Sequence, residues 1–567
     1  MQKKVFLVCL GLTFALASFA RTSGVTQPQV VRSSAFEEPE QGASRLLLMK
    51  NGHTLFFHFT LRKGINVTVY NPQHEAQPVV NNRLSSWSNR RMVLADLKGI
   101  YEINGEAVVF LQQYVHRRPS LYRLVFDSNT GQLKEEKLIA DLAPLRLTRG
   151  YRYTYGGMRI SEFELRKDPV SDYYAVSMLT YEKGEERIRV LHFDPQHQVI
   201  NKGDFAVPAR DFKYLNMADM YVNGGNNVFL AAFAFNMELS FLQSSRFAIA
   251  SLAKGTEGFK TAWLPDVRDK RLRDAALKFN TADKNVYLLS ALYTPGTRLE
   301  PIMSRNMLER FALLMHVIDP EQLTVKQHYF VAHPQLNEYA KTHLKYKRNY
   351  QGVIQDFYLH PDGGTTLLLE EMDIFQETIK DGMLTDRRAR DRFDTHNNYK
   401  TRLGEIGITR LDADGKEAES YAIAKGQENE GGMQLFMQHK RRQSRWNFRD
   451  NAFTSNLSGF YSYDYFRKDN KDYVIYNDYA GNTKNREEDY RSKYDVRVVS
   501  NSNTVFAVYD GKQIVKNYLF GQPDENASNR FCHLEMIARK EDSNSFATMM
   551  VEKSGHQKQA YIVWVNI

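Results

Sequence analysis

Residues 283–320, DKNVYLLSALYTPGTRLEPIMSRNMLERFALLMHVIDP, contain one unit of a pattern that recurs along the whole chain. Asp283-Lys284 reads as a tight turn, and Val286 to Leu292 as an apolar and aromatic run interrupted by Ser290 alone. Thr294 to Glu309 is long and irregular, and Phe311 to Ile318 is a second apolar run closed by Asp319-Pro320. Short runs of this composition between turn residues are strands rather than helices.

The same order of turn, strand, connection, strand and turn extends in both directions. First turns fall at Asn51-Gly52, Asn104-Gly105, Asp168-Pro169, Asn223-Gly224, Asp362-Gly363, Asp469-Asn470 and Asp542-Ser543. The Asn-Gly and Asp-Gly pairs adopt positive φ easily, which suits the two-residue turns that match strand twist. Strands follow each of them, among them Thr54 to Leu61, Ala107 to Leu111, Tyr173 to Leu179, Val228 to Phe233, Thr365 to Leu369, Tyr473 to Tyr476 and Ser545 to Val551. A later strand in each unit runs into a second tight turn, as Tyr122 to Phe126 does before Asp127 and Ile188 to Phe193 before Asp194-Pro195. A fourth strand then begins, as in Gln132 to Leu138.

About eight such units imply an all-β chain folded as a β-propeller of four-stranded antiparallel blades, with seven blades as the alternative. The third strand of the last unit, Ala560 to Val565, runs to the C-terminus with no fourth strand after it. Val25 to Val31 could complete that sheet and close the ring, which would remove exposed strand edges. Residues 21–567 are therefore expected to form a single domain.

In an up-and-down blade the first and third connections share one face of the disc, and the second and blade-to-blade connections share the other. The short turns occupy the first set. The second set carries Asn82 to Lys98, Tyr114 to Ser120, Ala143 to Arg159, Phe235 to Ser245, Pro334 to Tyr350 and the insertions 372–402, 426–460 and 479–495. Long loops on a rigid scaffold are where binding residues concentrate. On these loops lie Trp87, Arg90, Arg91, Arg117, Arg118, Arg152, Tyr153, Arg445 and Trp446. Arginine forks grip carboxylate or phosphate, and aromatic rings give flat faces to sugars or side chains. The ordinary alternative is solvated loop charge over small aromatic satellite cores.

Residues 1–20 carry Lys3 and Lys4, an apolar run from Val5 to Phe19, and small Ser18 and Ala20 at the end, the pattern of an export signal. Cys9 sits too early in that run for lipid attachment. Beyond the signal no stretch reaches the about eighteen apolar residues that a membrane-spanning helix needs. Cys532 is then the one cysteine left, so no intramolecular disulfide forms in an oxidising compartment. The net charge of +10, which includes Lys3 and Lys4, is a mild basic excess. For an exported monomer in the periplasm or at the cell surface, acidic glycan or an acidic envelope protein is the expected partner, and nucleic acid is not.

Catalytic and metal signatures fall short. Asp412, Asp414 and Gly415 open like a calcium loop, but the twelfth position, where a glutamate belongs, is Ile423. The histidines form no zinc spacing, and there is no nucleophile elbow or phosphate loop, so neither metal nor cofactor is expected. Glu370 and Glu371 are adjacent on a strand and point to opposite faces unless the strand has ended. An enzyme would need loop carboxylates such as Glu371, Asp373 or Asp478 to face each other in a central funnel, as in a glycan hydrolase or lyase. A membrane β-barrel, suggested by the 32 tyrosines, fails on the shortness of strands such as Tyr473 to Tyr476.

The recurring strand, Asp-Pro turn and charged strand of Phe311 to Lys326, with the Asp-Gly-Gly hairpin at 362–364, resembles exported β-propeller-like proteins of unknown function from Bacteroidetes-type bacteria. The resemblance implies a propeller in the cell envelope and carries over no functional residue. The Gly-His and Trp-Asp marks of the WD type are missing. The leading expectation is a non-catalytic binding or scaffold protein that offers its arginine and aromatic loop face to a partner.

Overall fold

The computed structural model describes residues 28–567 apart from 40–41, 61, 63, 86–94, 116–117, 144–161, 183, 209–210, 237–244, 266–269, 295–310, 377–398, 431–435, 438–445, 448–461, 485–494, 524–527 and 540–544. Its strands form eight antiparallel sheets, the blades of a β-propeller. Blade 1 is Ala43–Leu48, Thr54–Phe59, Gly64–Tyr70 and Val80–Arg83, and blade 5, which contains the stretch quoted above, is Arg271–Phe279, Val286–Tyr293, Phe311–Ile318 and Val325–Phe330. The eighth sheet runs Ser528–Cys532, Ser545–Ser554, Gln557–Asn566 and Gln29–Arg32, with Gln29 opposite Asn566 and Arg32 opposite Val563.

Each blade is buried on both faces, which is why its second strand reads as a continuous apolar run. In blade 2, Ala107, Val109 and Leu111 pack with Phe57 and Phe59 of blade 1. The alternate residues Val108 and Phe110 pack with Tyr174 and Val176 of blade 3. Period-two alternation thus divides one strand between two seams. A side chain such as fully buried Phe57 contributes about 1.5–3 kcal/mol by leaving water.

Polar ties lie along the inner strands, several of which carry a bulge. The register shifts between Met217 and Asp219, between Leu272 and Asp274, and between Ile354 and Asp356. Asp219 then receives Arg166 of blade 3 at 2.6 Å and the backbone N–H of Leu277 in blade 5 at 2.9 Å. Lys278 of blade 5 meets Asp356 of blade 6 at 2.9 Å. A bulge re-aims a side chain, and here it aims carboxylates at neighbouring blades.

Most first and third connections are short turns, as expected, but the chain from Tyr70 to Val80 is longer, and the first connection of the last blade carries a 3-10 turn, Leu534–Met536, and a short strand, Ala538–Arg539. Asp542-Ser543 lies outside the described residues. The second connections are less uniform than the sequence suggested. Tyr114 to Ser120 is not a loop, because Glu106–Val115 and Arg118–Phe126 run almost through it. Within it, the carbonyl of Pro119 accepts the N–H of Leu142 at 2.9 Å. The second connections of blades 2 and 3 are short, from Val115 to Arg118 and from Glu182 to Glu185, whereas those of blades 4 to 7 are long.

Candidate functional site

Blade 6 outgrows its neighbours. Its second strand, Thr365–Gln376, and third strand, Tyr399–Leu411, continue past the core as an arm on the long-loop face, joined there by Gln427–Glu430. At the root of the arm the register shifts, with Glu370 opposite Ile406 but Met372 opposite Leu403. Glu371 on one strand and Gly404 and Glu405 on the other fall in this irregularity. The bulge brings the two glutamates together, which regular alternation over 33 intervening residues would not by itself require.

A short helix, Pro334–His343, covers this root through buried Leu336 and Ala340, and Glu417 accepts the backbone N–H groups of Gln335 at 2.6 Å and Leu336 at 3.0 Å. The chain after the helix delivers two tyrosines. The Tyr350 hydroxyl donates to the carbonyl of Glu405 at 2.7 Å, and the Tyr346 hydroxyl lies 2.6 Å from Glu371 Oε2 and 2.7 Å from Glu405 Oε2. The Tyr350 ring fits only because position 407 is glycine, since a Cβ there would stand 2.7 Å from the ring. Gly407→Ala is expected to destabilise the fold by about 1–3 kcal/mol through overpacking, read from the urea midpoint.

Burial, together with the hydrogen bond and charge of Glu405, pushes the Glu371 carboxyl up to about 7. Burial also opposes ionisation of Glu405, but hydrogen bonds from Glu371 and Tyr346 and the charge of Arg402 outweigh it and hold that carboxyl low. Arg402 Nε is itself bound to Asp495 at 3.1 Å. Further out on the arm, Glu428 takes Lys400 at 3.2 Å and Arg497 at 3.3 Å.

Glu370 points the other way, as alternation required. It meets Lys425 at 2.9 Å, accepts the Ser462 hydroxyl, and is buried with both partners. Asp478, at the end of the second strand of blade 7, is pushed up to about 6 by burial, partly offset by the Asn482 amide at 2.6 Å. Asp373 lies in the arm with Arg402 as its cross-strand neighbour. A glycosidase holds its two carboxyls about 5–9.5 Å apart around the bond to be broken. Glu371 and Glu405 instead close on one tyrosine hydroxyl, 2.6 and 2.7 Å away, which takes the place a sugar linkage would need.

Of the residues read from sequence as a binding face, Trp87, Arg90, Arg91, Arg117, Arg152, Tyr153 and Arg445 lie outside the described residues. Arg118 is corrected from loop to strand, where it is bound to Asp141 at 2.8 Å. Trp446 and Asn447 form a two-residue strand against Leu97 and Asp96, at the start of the inner strand of blade 2. Sequence reasoning missed Glu405 and Tyr346. The one local signal was Gly404-Glu405, which breaks the apolar alternation before Ile406.

No family model matches this chain. No curated protein matches it either. Among solved structures, a polysaccharide lyase is similar at 10% identity over 83% of this chain and 89% of its own, with a TM-score of 0.35. An acylaminoacyl peptidase from Pyrococcus horikoshii is similar at 8% identity over 92% of this chain and 60% of its own, with a TM-score of 0.34. An α-L-arabinofuranosidase from Fusarium graminearum is similar at 10% identity over 67% of this chain and 88% of its own, with a TM-score of 0.29. Likeness at this level does not extend to activity.

Proposed function

We propose that this chain is an exported, monomeric, non-catalytic binding or scaffold protein of the cell envelope. Its long-loop face takes an acidic glycan or an acidic protein surface through arginine and aromatic residues of the insertions. The observation that favours binding over catalysis is the Trp446–Asn447 strand. It belongs to the connection after blade 6 yet pairs with blade 2, on the far side of an eight-bladed ring. Trp446 and Asn447 thus stand against the start of the inner strand of blade 2, at the end of the ring where a funnel enzyme would admit its polymer. A mild excess of basic residues suits an acidic partner.

Residues 21–567 should be tested for capture by immobilised polyuronate and sulfated glycans and from envelope extract. The comparison is a variant with Arg90, Arg91, Arg117 and Arg445 changed to Glu. Capture that weakens at least about tenfold in the variant, and falls with added salt, is the expected outcome. Equal capture by both forms would reject this face. Release of shorter glycan products would reject the non-catalytic reading.

A further inference from the structure

We propose that Glu371 and Glu405 hold a single proton between them, and that its loss frees the Tyr339–Tyr350 cover from the root of the blade 6 arm. The cover and the root of the arm would then be held firmly in mildly acidic surroundings and loosened in mildly alkaline ones.

The proton follows from counting hydrogens. Tyr346 Oη stands within hydrogen-bond distance of both carboxyls, 2.6 Å from Glu371 Oε2 and 2.7 Å from Glu405 Oε2. A phenol has one hydrogen and can donate to only one of them. The other contact needs a hydrogen from a carboxyl. Ionised tyrosine is no alternative, because burial and the two glutamates push the phenol of Tyr346 far above its ordinary range.

The surroundings make the second negative charge costly. Arg402 faces the pair, but Asp495 shares it. Tyr350, from the covering chain, offers its hydroxyl to the Glu405 carbonyl rather than to a carboxylate. On the opposite side of the strand, Lys425 is committed to Glu370. Lys345, Lys347 and Arg348 of the cover are exposed. Like charges in contact in a site of low dielectric repel strongly, so one of the two stays protonated until the pH is well above the ordinary carboxylate range.

The sign follows from linkage. Glu371 is raised from 4.5 to about 7 in the folded protein, so the stabilisation tied to its proton is complete below about 4.5 and is lost as pH rises through about 7. The lost ties are those of Tyr346. The start of the helix is held independently by Glu417, at 2.6 Å from the Gln335 N–H, and should stay in place.

Amide hydrogen exchange on the full mature chain at about pH 5.5 and about pH 8.5, corrected for intrinsic rates, tests this. Segments 339–350 and 399–405 should lose about tenfold protection at the higher pH, while 334–338 should not. Glu371→Gln supplies a permanent hydrogen donor, and its protection should be high and equal at both pH values. Equal protection of the wild type at both values would overturn the proposal, as would an unchanged pH response in E371Q. If that variant does not fold, infrared difference spectra of the wild type decide. A protonated carboxyl band that vanishes near neutral pH is expected, and the lack of such a band at the lower pH overturns the assignment.

Discussion

Replacing Asp472 with alanine is expected to cost about 3–5 kcal/mol of folding stability, among the largest effects of any single change in this chain. Asp472 is fully buried at the start of the second strand of blade 7. It accepts the hydroxyl of Tyr465 from the inner strand of the same blade at 2.9 Å. From blade 6 it accepts the hydroxyl of Tyr421 at 2.7 Å and a guanidinium nitrogen of Arg410 at 2.5 Å. Alanine would leave two buried phenols without an acceptor and Arg410 with Glu419 alone. The phenols cannot relieve the loss by ionising, because burial, the larger cause of their raised range, remains when the carboxylate is gone. Asp472→Asn keeps the shape but turns a donor toward donors, and it should fall between wild type and alanine. Urea unfolding with an unchanged m-value would measure the loss. A shift below about 1 kcal/mol for D472A would mean that the seam between blades 6 and 7 does not depend on this carboxylate.

The parts of the fold that were legible in sequence are those set by local chemistry. Asn104 and Gly105 sit at φ 53° and 74°, the left-handed pair that an Asn-Gly hairpin turn uses. Asp469 and Asn470 do the same without glycine, at 48° and 59°, because a short polar side chain tolerates that region. Apolar runs such as Val286–Tyr293 are strands because both of their faces are buried between blades. Composition misled where strands leave the core. Met372 to Gln376 and Tyr399 to Leu403 carry charge and read as loop, yet they pair as the arm. The Glu371 and Glu405 site was illegible for a further reason. Glu371 was recognisable as a candidate carboxylate, but its partner depends on which residue bulges in a hairpin whose strands are far apart in sequence. Register of that kind is decided by packing on either side of the bulge, here by Leu403 and Met372 in the core cluster shared with Leu336 and Tyr350.

Lys425→Met is expected to be about as damaging as the loss of Asp472, at about 3–5 kcal/mol, and for a related reason with a different remedy. Lys425 is fully buried and Glu370 nearly so, with their charged atoms 2.9 Å apart. Lys425 also donates to the Leu403 carbonyl at 3.2 Å. Removing the lysine alone leaves a carboxylate out of water with only the Ser462 hydroxyl to support it. Removing both charges changes the balance, because the desolvation that burdened each partner disappears with it. K425M combined with Glu370→Met should therefore recover most of the loss and end within about 1–2 kcal/mol of the wild type, in either direction. The coupling from the four-protein cycle should be at least about 2 kcal/mol, since the two side chains touch. A double variant as unstable as K425M would contradict this reading. It would mean that the cost lies with the Leu403 carbonyl, which the lysine also serves, rather than with an abandoned charge. The Asp472 cluster offers no such rescue, because its three donors converge from both blades and no single second substitution removes them all.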